Sequence, residues 1–284
     1  MDKLEREKAG TKLAAGKAVL FPLLWYLLIA LGVGVLWILG KRSMASLLPP
    51  EAHAAFWDAL ERNESVIEML LISAPAILLY LHMYCRDRSG EEGEAEKRRL
   101  PGLVFLLLSA VCAAIGLNVL LQLSPLFEWF PAYSRESARL AGGSAFLYLI
   151  YLVIVAPLTE ELLFRGLVFR RLRRSFGPIS SMAVSALLFG AFHANMVQFV
   201  YAFLVGFLLA AVTEQYRNLA APFLFHAAAN LSGGFSGILL QLDTPWAFLG
   251  GGILTLFAGL LFWRMLKTVQ LEEPNGKKLV KREG

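Results

Sequence analysis

The chain has 284 residues, 57% hydrophobic and 17% charged, with a formal net charge of +5 and a mean hydropathy of +0.58. An ordinary soluble domain is about one-quarter charged, so this balance excludes a soluble fold and calls for several membrane spans of about 20 apolar residues each. Cys85 and Cys112 are the only cysteines and supply neither a disulfide framework nor a CxxC metal site. The basic residues fall between apolar runs, where membrane topology accounts for them and nucleic acid does not.

Residues 1–17 are polar and lysine-rich and read as a cytosolic tail. The apolar run from Ala18 to about Gly40 exceeds a signal-peptide core and reads as a retained first span. Pro49-Pro50-Glu51 opens an amphipathic stretch to about Asn63 that is expected to lie at the interface, and His53 within it reads as solvent-exposed. A second span is predicted from about Val66 to Cys85 and a third from about Leu103 to Leu123, joined by the charged connector Arg86 to Arg99. His82 and Asn118 read as packing or interface groups. Phe127 to Gly143, with Trp129, Phe130 and Tyr133, suits an aromatic belt.

The fourth apolar helix starts near Ser144 and runs out through Arg170-Arg171-Leu172-Arg173-Arg174 until Gly177-Pro178 stops it. Pro157 predicts a kink within it, because a proline removes a backbone donor and obstructs the preceding turn. Further spans are expected from about Ile179 to His193, Val197 to Glu214, Leu219 to Ser232 and Trp246 to Leu266, before a basic tail, Lys267 to Gly284. The fold class is therefore all-α, a polytopic bundle of about eight transmembrane helices. Residues 18–143 carry three of them, 144–235 form a core, and 236–284 hold the last span and the tail. The basic segments alternate so that both termini are placed in the cytosol, and the short loops suit a bacterial cytoplasmic membrane.

The fourth helix contains Glu160-Glu161-Leu162-Leu163-Phe164-Arg165. An ionised group at the bilayer centre costs about 2.5 to 3.5 kcal/mol on insertion scales, so it needs a buried partner and marks a functional candidate. Glu161 and Arg165 are i and i+4 and can pair, whereas Glu160 points about 100° away on an α-helix. Phe189-xxx-His193 and His226-xxx-Asn230 lie in later spans. Taken singly, each has a structural reading: a buried ion pair, a satisfied core histidine, a polar contact between helices. Their depth joins them. Glu161 and His193 lie at similar distances on either side of the Gly177-Pro178 turn, so they reach one membrane level, and His226 lies well below the surface of its own helix.

In that combination and order, EExxxR, FxxxH and HxxxN, the chain resembles the CPBP family of intramembrane proteases. That family includes the type II CAAX prenyl endopeptidases and bacterial bacteriocin-processing or immunity proteins. The resemblance covers roughly residues 144 to 235. It implies a conical catalytic core and hydrolysis of a peptide bond in a membrane-associated protein or peptide, which could be lipidated. It further implies that Glu160 and His193 activate water, that His226 and Asn230 stabilise the oxyanion, and that Glu161 with Arg165 supports them. A poorly solvated carboxylate suits general-base work, and aimed donors suit a developing oxyanion. Zn²⁺ held by Glu160, His193 and His226 is the alternative, but there is no HExxH helix, and an asparagine with a paired arginine favours a mechanism without a cofactor. A small transporter, or a non-catalytic immunity or scaffold protein, remains as a competing class; no internal repeat supports the former, and intact motifs argue against the latter.

Overall fold

The computed structural model describes residues 3–47, 49–89 and 102–271. Part of the charged connector and the tail beyond Leu271 lie outside them, as does the side chain of His53. Among the described residues all regular structure is helical. The helices are α1 (Lys3–Leu47), α2 (Pro50–Ser89), α3 (Leu103–Gln122) and the short α4 (Pro125–Trp129) and α5 (Ala132–Ala141). They continue with α6 (Ala145–Arg173), α7 (Pro178–Phe192), α8 (Met196–Tyr216), α9 (Ala220–Gly233), the short α10 (Ser236–Leu239) and α11 (Thr244–Leu271).

Among them α1, α2, α3, α6, α8 and α11 are long and apolar enough to cross a membrane. The other two expected spans, α7 and α9, have 15 and 14 residues, short of the ~20 that a hydrocarbon layer demands. These two carry the histidine motifs. Two boundaries also differ from the sequence reading. The lysine-rich start joins the first span as one helix from Lys3, and the amphipathic stretch joins the second span as one 40-residue helix. The reason is local, since residues 51–65 contain neither Gly nor Pro and nothing there interrupts the ladder. Instead, Asn63 donates to the Ala59 carbonyl and accepts from the Ser144 backbone N–H at 2.7 Å, tying α2 to the start of α6.

Helix α6 is the hub. Leu163, Phe164, Leu167 and Val168 on it are fully buried, while Leu31 and Leu36 on α1 and Leu256 on α11 are exposed as lipid-facing side chains would be. Opposite the hub, α3 and α11 approach closely: a Cβ on Gly116 would lie 2.5 Å from Thr255 Oγ1 and 2.8 Å from the Gly251 carbonyl, the small-residue contact that lets apolar helices pack without a hydrophobic driving force.

The bundle has two chemically distinct ends. At one, Arg171 pairs with Asp87 at 2.8 Å and donates to the Ala18 carbonyl at 2.7 Å, and Arg173 grips Glu214 with two 2.9 Å bonds. At the other, Lys41 and Trp37 both bond Glu64. The Ala18 contact has a covalent cause. Pro22 lies four residues on within α1 and has no N–H for that carbonyl, so the Arg171 guanidinium takes the missing donor's place.

Candidate active site

Helix α6 is not uniformly α-helical. Tyr151–Val155 and Glu161–Phe169 are π-helical, flanking Pro157 and the first glutamate. The Ala156 N–H bonds the Tyr151 carbonyl five residues back. In that register the Leu152 carbonyl would bond residue 157, a proline without an N–H. Asn230 Nδ2 fills the place from α9, donating to the Leu152 carbonyl at 2.9 Å. The expected disturbance at Pro157 thus takes the form of a widened helix whose unpaired carbonyl is held by a site residue, in keeping with π-bulges at functional positions.

Glu161 and Arg165 are 1% and 0% exposed. Arg165 donates to Glu161 Oε1 at 3.0 Å and to the Gly206 carbonyl on α8 at 3.1 Å, and its guanidinium lies 4.4 Å from the centre of the Phe189 ring. Gly206 is small for that reason, as a Cβ there would meet Phe189 at 2.8 Å and Arg165 Nη2 at 3.4 Å. Glu161 Oε1 also meets His226 Nδ1 at 2.8 Å. One oxygen of this carboxylate is therefore shared between the Arg165 guanidinium and the His226 imidazole. Glu161 Oε2 and Arg165 Nε are buried without a hydrogen-bond partner.

Glu160 is placed differently. Its side chain is 14% exposed, and His226 Nε2 stands 3.6 Å from its Oε2, beyond hydrogen-bond length. Glu160 makes no hydrogen bond to another described residue. His226 therefore spans both glutamates. With Nδ1 donating to Glu161, the neutral ring presents Nε2 to Glu160 as an acceptor, and a proton on Nε2 turns that contact into an ion pair.

His193 caps α7. Its Nδ1 lies 2.9 Å from the Phe189 carbonyl, a contact only an N–H makes favourably, so Nε2 is left with a free lone pair. The chain then reverses through Ala194 at φ 51°, and Asn195 caps α8 by accepting from Val197 and Gln198. Phe189 joins the two histidines, its ring standing edge-on to His193 at 5.0 Å and to His226 at 5.9 Å. The structure thus brings Glu160, Glu161, Arg165 and His226 into one cluster, sets His193 beside it across Phe189, and holds Asn230 against the wall of α6. Among the described residues no three His, Cys, Asp or Glu side chains are grouped so as to hold a metal ion.

Sequence reasoning missed two groups near the cluster. Tyr26 on α1 packs its ring edge-on against Phe192 at 4.6 Å, and no signal distinguishes it from other tyrosines in apolar runs. Gly206 did carry one, since a glycine inside an apolar helix marks close packing.

Residues 142–232 match the family model described as type II CAAX prenyl endopeptidase Rce1-like. No curated protein and no solved structure matches the chain.

Proposed function

We propose that the Rce1-like domain at residues 142–232 works as an intramembrane endopeptidase. It hydrolyses a peptide bond of a membrane-associated protein or peptide, with a lipidated one as the finer case. The observation that carries this reading is the unequal treatment of adjacent carboxylates. Glu161 Oε1 is held by both Arg165 and His226, whereas Glu160 makes no hydrogen bond to another described residue and stands 3.6 Å from the His226 imidazole. A structural ion pair requires only the first.

In the proposed step Glu160, with the bare Nε2 of His193 as its partner, takes a proton from water as the water oxygen bonds to the scissile carbonyl carbon. The carbonyl electron pair moves onto its oxygen, where protonated His226 and the second N–H of Asn230 stabilise it. Collapse breaks the C–N bond, and the proton passes to the departing nitrogen. Arg165 does not touch the reacting atoms; it holds Glu161, which orients His226. No step runs through a metal.

The decisive experiment compares the proteomes of membranes holding the native chain with those holding a Glu160→Gln form. A peptide terminus formed only with the native chain is expected, and identical termini in the two membranes would refute the protease reading.

A further inference from the structure

The histidine that caps α7 has little to hold its ring. The helix ends there and the chain reverses at Ala194, with φ 51°. Among the described residues its polar tie is the contact of Nδ1 with the Phe189 carbonyl, four residues back on the same helix. The remaining hold is aromatic. Phe189 stands edge-on to the His193 ring at 5.0 Å and Phe192 at 6.1 Å. Both phenylalanines also stand edge-on to Phe164 of α6, at 5.0 Å and 5.3 Å. The four rings close a loop with His193 at one corner.

The other corners are not equally secure. Phe164 and Phe189 are 0% and 2% exposed, and Phe189 also lies under the Arg165 guanidinium. Phe192 is only half-buried and takes its further support from α1, whose Tyr26 ring packs edge-on against it at 4.6 Å. Helix α1 is held in register for this contact. Ala18, Pro22 and Tyr26 recur every four residues and so share a face. The Ala18 carbonyl accepts from Arg171 at the end of α6, and the Pro22 carbonyl accepts from the Tyr80 hydroxyl of α2 at 3.1 Å.

We propose that Tyr26 is a positioning residue, its ring wedging Phe192 against Phe164 and so fixing the orientation of the His193 imidazole. This rests on the protease reading above. Edge-to-face packing sets orientation as well as burial, because the positive edge of one ring seeks the negative face of the next. Without a ring at 26, Phe192 is free to turn and His193 loses one of its two aromatic walls. Its bare Nε2 then swings out of line with the water that Glu160 deprotonates. The ring of Tyr26 carries this role and its hydroxyl has no part in it. Helix α1, outside residues 142–232, thus supports the catalytic machinery and is not an accessory span.

The test uses the full chain in liposomes and an internally quenched peptide carrying the cleavage site recovered from the membrane comparison. Tyr26→Leu keeps an apolar side chain but removes the ring. It is expected to lower kcat roughly 10- to 100-fold, the scale of a misplacement of about an ångström, with KM within about twofold. Tyr26→Phe keeps the ring and should keep native kcat. Nitrogen-15 spectra of histidine-labelled protein give a readout independent of cleavage. His193 should carry its proton on Nδ1 in the native chain and in Tyr26→Phe, and shift toward the Nε2–H form in Tyr26→Leu. In a cycle with Phe192→Leu, which removes the same contact from the other side, the double variant should be little slower than the slower single. Should Tyr26→Leu not fold, Phe192→Leu and Phe192→Tyr take the places of the leucine and phenylalanine variants. Tyr26→Leu at native kcat, with Glu160→Gln inactive, overturns the role of Tyr26 and leaves the protease reading standing. Equal losses in Tyr26→Phe and Tyr26→Leu overturn it as well, as do full additivity in the cycle or an unmoved His193 proton. If no cleavage separates the native chain from Glu160→Gln, both fall together.

Discussion

At the scale of single residues, the two adjacent glutamates should respond differently to the same change. Glu160→Gln preserves size in a side chain that makes no hydrogen bond to another described residue, so expression and melting temperature should stay near native while peptide cleavage falls by the 10²- to 10⁴-fold typical of a lost general base. Glu161→Gln leaves Arg165, 0% exposed, without its counter-charge. Breaking a buried pair from one side costs roughly 3 to 5 kcal/mol, so unfolding in mixed micelles should shift by that amount. The double change Glu161→Gln with Arg165→Met removes both charges and should recover part of the loss, although the Gly206 carbonyl then loses its donor. A double variant no more stable than Glu161→Gln alone would show that the ion pair is not what the substitution breaks. Metal dependence is decided here too. Activity should survive phenanthroline or EDTA followed by desalting, and activity that vanishes and returns only with Zn²⁺ would refute the assignment of water activation to Glu160 and His193 alone.

At the scale of elements, the active helix is shaped by a proline and repaired from its neighbour. Asn230→Ala leaves the Leu152 carbonyl without its 2.9 Å donor, and an unsatisfied buried group costs about 1 to 3 kcal/mol. Pro157→Ala restores a backbone N–H in α6, so adding it to Asn230→Ala should cost less than the two single losses combined. Strict additivity in a thermal-unfolding cycle would refute this link between α6 and α9. The contact between α8 and α6 offers a second check. Gly206→Ala drives a methyl to 2.8 Å from the Phe189 ring, the ring that stands beside both histidines. Overpacking of this kind costs about 1 to 3 kcal/mol, and kcat should fall as well because the histidines move with the ring.

At the scale of the whole molecule, the arginine-rich end should face the cytosol, which also places both termini there. Ser175 lies exposed at that end and Ser134 lies exposed on α5 near the other. In a background lacking Cys85 and Cys112, Ser175→Cys should react with an impermeant maleimide only after the cytosolic face is opened, and Ser134→Cys should react in intact cells. The reverse pattern would invert the topology. Long-range ties set this end of the bundle, since Arg171 joins α6 to both α1 and α2 and Arg173 joins it to α8. These pairs are partly exposed, where a single pair is worth up to about 1 kcal/mol, so their role is alignment more than stability.

The sequence by itself determined what composition and spacing can express. Long uncharged runs required membrane helices, because only closed backbone hydrogen bonding survives in hydrocarbon. The i,i+4 spacing of Glu161 and Arg165 sufficed for their pair, since both partners ride on one turn. Three motifs on separate apolar helices pointed to the domain that residues 142–232 match. Boundaries such as the joined α1 and α2 helices were less legible, because a polar stretch without a breaker reads equally as a helix or as a connector. The tertiary structure alone decided that His226, reaching across from α9, 65 residues away, bonds Glu161 and stands beside Glu160. It alone supplied the Asn230 donor to the Leu152 carbonyl, because no periodicity within one helix records which side chain of another helix will stand across from it.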